Sequence, residues 1–218
     1  MRLVGAKLII VAGMVLSPLN LPSHTAFAQA TLKPAATENT GAKIDHGRVI
    51  LLRGLANIFS RGMDTLGNKL SARGVGNVVT NYSHGFDIAD ELAKTYQTDK
   101  SILPIIIIGH SLGGNRALSM SAQMAKNNVP VRLVVLFDAT VSWPVPLNVE
   151  EVLNLHKPGG PCSGATCAGA VVVGVPGYRG VIDNKDVSDI LGGGHINIDK
   201  SKVLHGEVIE KVLSLLAE

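Results

Sequence analysis

The chain has 218 residues, 46% of them hydrophobic and 17% charged, a balance that excludes a disordered polyelectrolyte and is ample for one buried core. A net charge of +3 with only 4% aromatic residues argues against a nucleic-acid surface built on stacking platforms. Two cysteines are too few for a disulfide-dense miniprotein or a self-contained zinc finger.

The chain opens on what reads as an export signal, residues 1–28. Arg2 and Lys7 give a positive start, Leu8 to Leu16 an apolar run, Pro18 and Pro22 a break, and Ala26-Phe27-Ala28 a small-x-small cleavage site. The run is about half of the roughly 20 residues that span a bilayer, so no membrane span is expected in the mature chain. The segment holds two of the 20 basic residues and none of the 17 acidic ones, so its removal takes the net charge from +3 to +1. The expected location is periplasmic or secreted. Residues 29–45 are rich in Thr, Ala, Pro, Asn and Gly without periodicity and read as a flexible lead-in. Residues 46–218 then form one domain.

Within that domain, apolar runs alternate with amphipathic stretches. Val49 to Leu52 predicts a strand ending at Gly54; Phe59, Met63, Leu66 and Leu70 predict a helix. Val78 to Thr80 predicts a second strand. Ile88, Leu92 and Tyr96 share a helix face, with Asp87 as N-cap. Ile102 to Ile108 suits a strand buried on both faces of a parallel sheet. A helix over Asn115 to Lys126 and a strand over Val131 to Phe137 follow. Five prolines between Thr140 and Tyr178 interrupt the order, leaving one strand near Val149 to Leu155 and a covering loop. Val187 to Leu191 reads as the final strand, and Leu204, Val208, Val212 and Leu215 mark a last helix. The alternation predicts an α/β fold with a doubly wound, mostly parallel sheet flanked by helices. In an oxidising compartment Cys162 and Cys167, five apart in a Gly- and Pro-flanked loop, close a small disulfide. So short a loop pins local geometry more than it stabilises the whole fold.

The chemistry is concentrated in Gly109-His110-Ser111-Leu112-Gly113-Gly114. A G-x-S-x-G pattern between a buried strand and a helix is the context a nucleophile elbow requires, with Ser111 projecting from the carboxyl edge of the sheet. This segment resembles the α/β-hydrolase superfamily, the likeness covering roughly residues 45–218, and within it small esterases, lipases and thioesterase-domain proteins with minimal or no cap domain. The resemblance implies a Ser–acid–His triad in that chain order, no cofactor and no metal.

A Ser hydroxyl needs a base, and imidazole suits the task. Of seven His, His24 lies in the signal, His46 before the first strand, His84 ahead of the Ser, and His110 within the elbow, where it should point elsewhere. His156 sits beside the irregular region. His195, after Gly192-Gly193-Gly194, resembles the family's catalytic-His loop, and His205 on the last helix is the alternative. The acid is Asp138, at the end of the strand after the elbow, or Asp183 one strand later. The oxyanion donors are the backbone N–H of Leu112 and, by family likeness, that of Leu55 or Ala56 after the first strand. Leu55, Ile58 and Phe59 are candidates for an acyl pocket and equally for plain core. The expected reaction is hydrolysis of an ester or thioester, the partner a small acyl-ester or lipid-like substrate. A peptidase or amidase with the same triad, and a catalytically silent binding protein, are the alternatives.

Overall fold

Strand β3 (Ile105–His110) sets the architecture. It is buried at every position, with Ile106 and Ile108 on one face and Ile105 and Ile107 on the other, because side chains alternate along a strand. A strand apolar on both faces must be covered on both, and the chain supplies the layers. The computed structural model describes residues 44–55, 60–141, 143–159, 169–190 and 194–218. The expected signal peptide, almost all of the lead-in, Ala56, Ile58, Phe59 and the Cys162–Cys167 pair lie outside the described residues.

Six strands, all parallel, line up as β2-β1-β3-β4-β5-β6. They are β1 (Ile44–Arg53), β2 (Val75–Asn81), β3, β4 (Leu133–Phe137), β5 (Glu151–His156) and β6 (Val181–Asp186). Helices α1 (Arg61–Ala72) and α4 (Lys202–Leu216) cover one face. Met63, Leu66 and Leu70 join Leu204, Val208 and Val212 there, over Leu51, Ile106 and Val135. Helices α2 (Gly85–Thr98) and α3 (Leu112–Ala125) cover the other, where Ala89, Leu92, Leu118 and Met120 meet Leu52, Ile107 and Val134. From β1 the chain first adds β2 on one side, then returns to add β3 on the other. This places the topological switch between β1 and β3, and open α/β sheets bind ligands at the carboxyl ends flanking such a switch.

Several boundaries differ from the sequence expectation. Strand β1 begins at Ile44, inside the stretch read as lead-in, so His46 lies within it and its Nε2 meets the Leu216 carbonyl at 3.0 Å. Ile102 belongs to a 3-10 turn (Lys100–Ile102), and β3 starts only after Pro104. Helix α2 starts at Gly85, which puts Asp87 in its first turn, favourable to the helix dipole, while His84 holds the cap position without a side-chain bond. The last strand is Val181–Asp186, not Val187 to Leu191. It is an edge strand, mostly polar and half-exposed, so it lacks the apolar run that marks inner strands; Val187 is apolar because it plugs the core just beyond.

Burial dictates where truncation is felt. Ile107→Ala, on a fully buried β3 position, is expected to cost about 2–5 kcal/mol in urea unfolding. Val78→Ala, on the exposed edge strand β2, should stay within about 0.5 kcal/mol.

Candidate active site

The site grows from one tight turn. Ser111 links β3 to α3 with φ 58° and ψ −123°, a conformation that non-glycine residues rarely hold. Its neighbours impose it. The Ser111 N–H donates to the Phe137 carbonyl at 3.1 Å, and the Ser111 carbonyl accepts the N–H of Gly114 at 2.9 Å and of Asn115 at 3.2 Å. Two glycines let the backbones close in. A Cβ on Gly109 would lie 2.3 Å from the Gly113 carbonyl oxygen, and one on Gly113 only 2.1 Å from that of Leu52.

Asp138 follows β4 with φ 51°, in the left-handed region that Asp tolerates better than most residues. Its N–H donates to the Leu155 carbonyl at 2.9 Å, fixing the turn to β5. The buried carboxylate accepts at Oδ2 from His195 Nδ1, 2.8 Å away. Holding the proton on Nδ1 leaves Nε2 with a lone pair, and that atom faces Ser111 Oγ at 3.0 Å. The structure therefore joins Ser111, His195 and Asp138 in a continuous hydrogen-bonded row. The rival residues stand apart. His205 is buried in α4, its Nε2 2.6 Å from the Asp199 carbonyl; Asp183 is exposed on edge strand β6; His156 Nδ1 meets the Gly169 carbonyl.

Parallel sheet, topological switch, strained Ser after a buried strand, acid after the next strand and His before the last helix now stand together. The chain adopts the α/β-hydrolase fold. No family model and no curated protein matches its sequence. Among solved structures it is similar to a protein of the alpha/beta hydrolase superfamily from Xanthomonas campestris pv. campestris, at 14% identity and TM-score 0.43, over 78% of this chain and 100% of that one. RedJ, with a polyethylene glycol molecule bound in its active site, is similar at 10% identity and TM-score 0.49, over 89% and 95%. An acetylxylan esterase is similar at 12% and 0.41, over 78% and 98%. The fold assignment rests on the chain's own geometry, and likenesses at this level carry nothing about its chemistry.

In this α/β-hydrolase fold the row of Ser111, His195 and Asp138 opens onto a cavity of about 210 Å³ lined by Leu55, Ser60, His110, Ser111, His195 and Ile196. Leu55 and Ile196 are 60% and 53% exposed, so Leu55 is cavity wall, not core. The Leu112 N–H, first in α3, has no acceptor within its helix. On the β1 side the Gly54 N–H is already committed to Ser60 Oγ at 2.9 Å, which leaves Leu55 as the next donor of that loop. No cluster of metal-binding side chains exists among the described residues.

Three residues near this row, Ser60, His110 and Asp199, were given no role from sequence. Ser60 Oγ lies 2.8 Å from His110 Nδ1, and His110 Nε2 lies 2.8 Å from the carbonyl oxygen of His195. With Nε2 protonated, the chain of donors runs Ser60 O–H to Nδ1 and Nε2–H to the His195 carbonyl. One buried imidazole thus ties the loop after β1, the elbow and the His195 loop. Burial pushes the His110 pKa from 6.5 down to about 4, keeping the ring neutral and the pattern intact. Beneath the same loop, Asp199 Oδ2 accepts the Gly62 N–H at 2.8 Å, while Oδ1 is buried without a partner. Desolvation raises its pKa from 3.8 to about 6, although the helix N-terminus it faces favours the anion. His110 was readable as the residue beside the nucleophile; Ser60 and Asp199 carried no sequence signal.

The two groups act oppositely on stability. His110, depressed to about 4, contributes fully above pH 6.5 and loses its contribution as pH falls through 4. Asp199, raised to about 6, contributes fully below 3.8 and loses it as pH rises through 6. Asp199→Asn is therefore expected to stabilise the protein at pH 7, by on the order of 1–3 kcal/mol, with the gain fading below pH 4. Urea unfolding across that range checks it; a gain independent of pH would contradict the assignment.

Proposed function

We propose that the protein is an exported serine hydrolase that cleaves a carboxylic ester through an acyl-enzyme, with Ser111 as nucleophile, His195 as base and Asp138 as its orienting acid. The observation that carries this reading is the row from Asp138 Oδ2 to His195 Nδ1 at 2.8 Å and from His195 Nε2 to Ser111 Oγ at 3.0 Å. Ser111 Oγ attacks the carbonyl carbon while its proton passes to Nε2, and Asp138 stabilises the resulting imidazolium. The N–H groups of Leu112 and Leu55 receive the developing oxyanion. On collapse, Nε2 returns the proton to the departing alcohol. Water, deprotonated by His195, then attacks the acyl-enzyme and releases the acid with free Ser111. No group outside the chain is needed.

The substrate class follows from the N-terminal signal read at residues 1–28. An exported enzyme meets small acyl esters and lipid-like esters rather than intracellular carrier thioesters, so ester hydrolysis leads.

Ser111→Ala should lower turnover of 4-nitrophenyl butyrate by at least about a thousandfold, and Asp138→Asn by about a thousandfold or more. The wild-type protein should acquire a fluorophosphonate label that the Ser111 variant lacks. Full ester turnover by Ser111→Ala would sink the proposal, and a panel of ester, thioester and peptide substrates ranks the bond types.

A further inference from the structure

Beside the triad lies a second cleft, of about 330 Å³, lined by Tyr82, Phe86, Leu112, Arg116, Val141 and Trp143. It is built from three loops and helix starts at the carboxyl edge of the sheet. Tyr82 and Phe86 stand one turn apart where β2 runs into α2. Leu112 and Arg116 share a face of α3, four residues and so about 6 Å apart along its axis. The third wall, after β4, is fixed to α3 by Asn115, whose Oδ1 accepts the N–H groups of Thr140 and Val141 at 3.0 Å each and whose Nδ2 donates to Thr140 Oγ1 at 2.8 Å.

Arg116 is the informative side chain. Its stem lies across Gly85, where any Cβ would come within 2.3 Å of its Cγ. Its guanidinium stacks 3.8 Å over the Phe86 ring. No carboxylate among the described residues forms an ion pair with it. A guanidinium whose neighbour is an aromatic ring rather than a carboxylate keeps its N–H donors free for an anion. Phe86 and Trp143 are meanwhile 40% and 48% exposed, leaving aromatic surface for a flat apolar group.

The position of the cleft decides which half of an ester it takes. The departing alcohol must lie against His195 Nε2, which returns its proton, so the cavity walled by His195 and Ile196 receives that half. The cleft reached past Leu112, one of the oxyanion donors, receives the acyl half. We propose that this cleft is an acyl subsite for aromatic acids carrying a second carboxylate, the ring against Tyr82, Phe86 and Trp143 and the carboxylate on Arg116. This rests on the hydrolase reading of Ser111, and is tested apart from it.

Three 4-nitrophenyl esters with one leaving group serve as probes: butyrate, 3-phenylpropanoate and 3-(4-carboxyphenyl)propanoate. The carboxylated ester should exceed its uncarboxylated partner in kcat/KM by roughly tenfold, and Arg116→Gln should bring the ratio close to one. Arg116→Lys, which keeps the charge but loses the planar fork, should fall between. Trp143 is the only tryptophan of the chain, so its fluorescence reports the cleft without catalysis. Methyl 3-(4-carboxyphenyl)propanoate added to Ser111→Ala protein should change it saturably, with weaker binding when Arg116→Gln is also present. Butyrate hydrolysis with a ratio near one in the wild type, or a ratio that Arg116→Gln leaves unchanged, overturns the subsite. If no ester is hydrolysed the enzyme reading fails, and the titration alone decides the cleft: a saturable, Arg116-dependent signal supports it and a flat one removes it.

Discussion

The approach of helix α3 to the end of strand β1 is the constraint on which the site depends. With a Cβ position on Gly113 only 2.1 Å from the Leu52 carbonyl, no larger residue permits that distance. The approach matters because β1 ends in the loop that offers Leu55, while α3 starts with Leu112. Bringing the two backbones together sets the loop after β1 beside the start of α3. It also forces Ser111 into its positive-φ turn, aiming Oγ away from the sheet toward the loop that carries His195. The placement of Ser111 and of the start of α3 thus follows from one packing contact, and the isoleucines of β3 supply the rigidity that holds it.

A packed sheet fixes strand ends well, but His195 comes from a connection between β6 and α4 that no ladder restrains. Polar contacts take over there. The His195 carbonyl is held by His110, whose other nitrogen is held by Ser60, which in turn holds the Gly54 N–H. Farther along, the Asp199 carbonyl is held by His205 and its carboxylate by the start of α1. Buried polar groups are costly unless partnered, so such a frame admits few arrangements. Its use is orientation: Asp138 sets the imidazole's tautomer, and His110 sets where the backbone beneath that imidazole sits.

How much of this was legible follows from where each signal resides. Inner strands announce themselves through continuous apolar runs, so β3, β4 and the buried end of β1 were found, while the half-exposed start of β1 from Ile44 was missed. The last strand was displaced because an edge strand facing solvent has no such run, whereas Val187, a lone core plug, does. Ser111, His195 and Asp138, singled out from their places relative to strand ends, are brought together in one hydrogen-bonded row. Ser60 and Asp199 were not legible, since their roles exist only through contacts with residues 50 and 137 positions away. Arg116 lay unremarked in the helix expected over Asn115 to Lys126; that it crosses Gly85 onto Phe86 is a property of how α2 and α3 pack.

The titrations of His110 and Asp199 oppose one another. As pH falls from about 6 to 4, His110 loses stabilising force while Asp199 gains it, so these two contributions offset each other in part. Once His110 is protonated, Nδ1 becomes a donor and no longer accepts from Ser60, whose hydroxyl must turn so that its oxygen accepts from both Nδ1 and the Gly54 N–H. The tie between the loop after β1 and the loop bearing His195 then reverses its donors while the apolar core under both stays packed. Acid should therefore disturb the seat of the His195 backbone and the stability of the fold together, because one buried imidazole serves both.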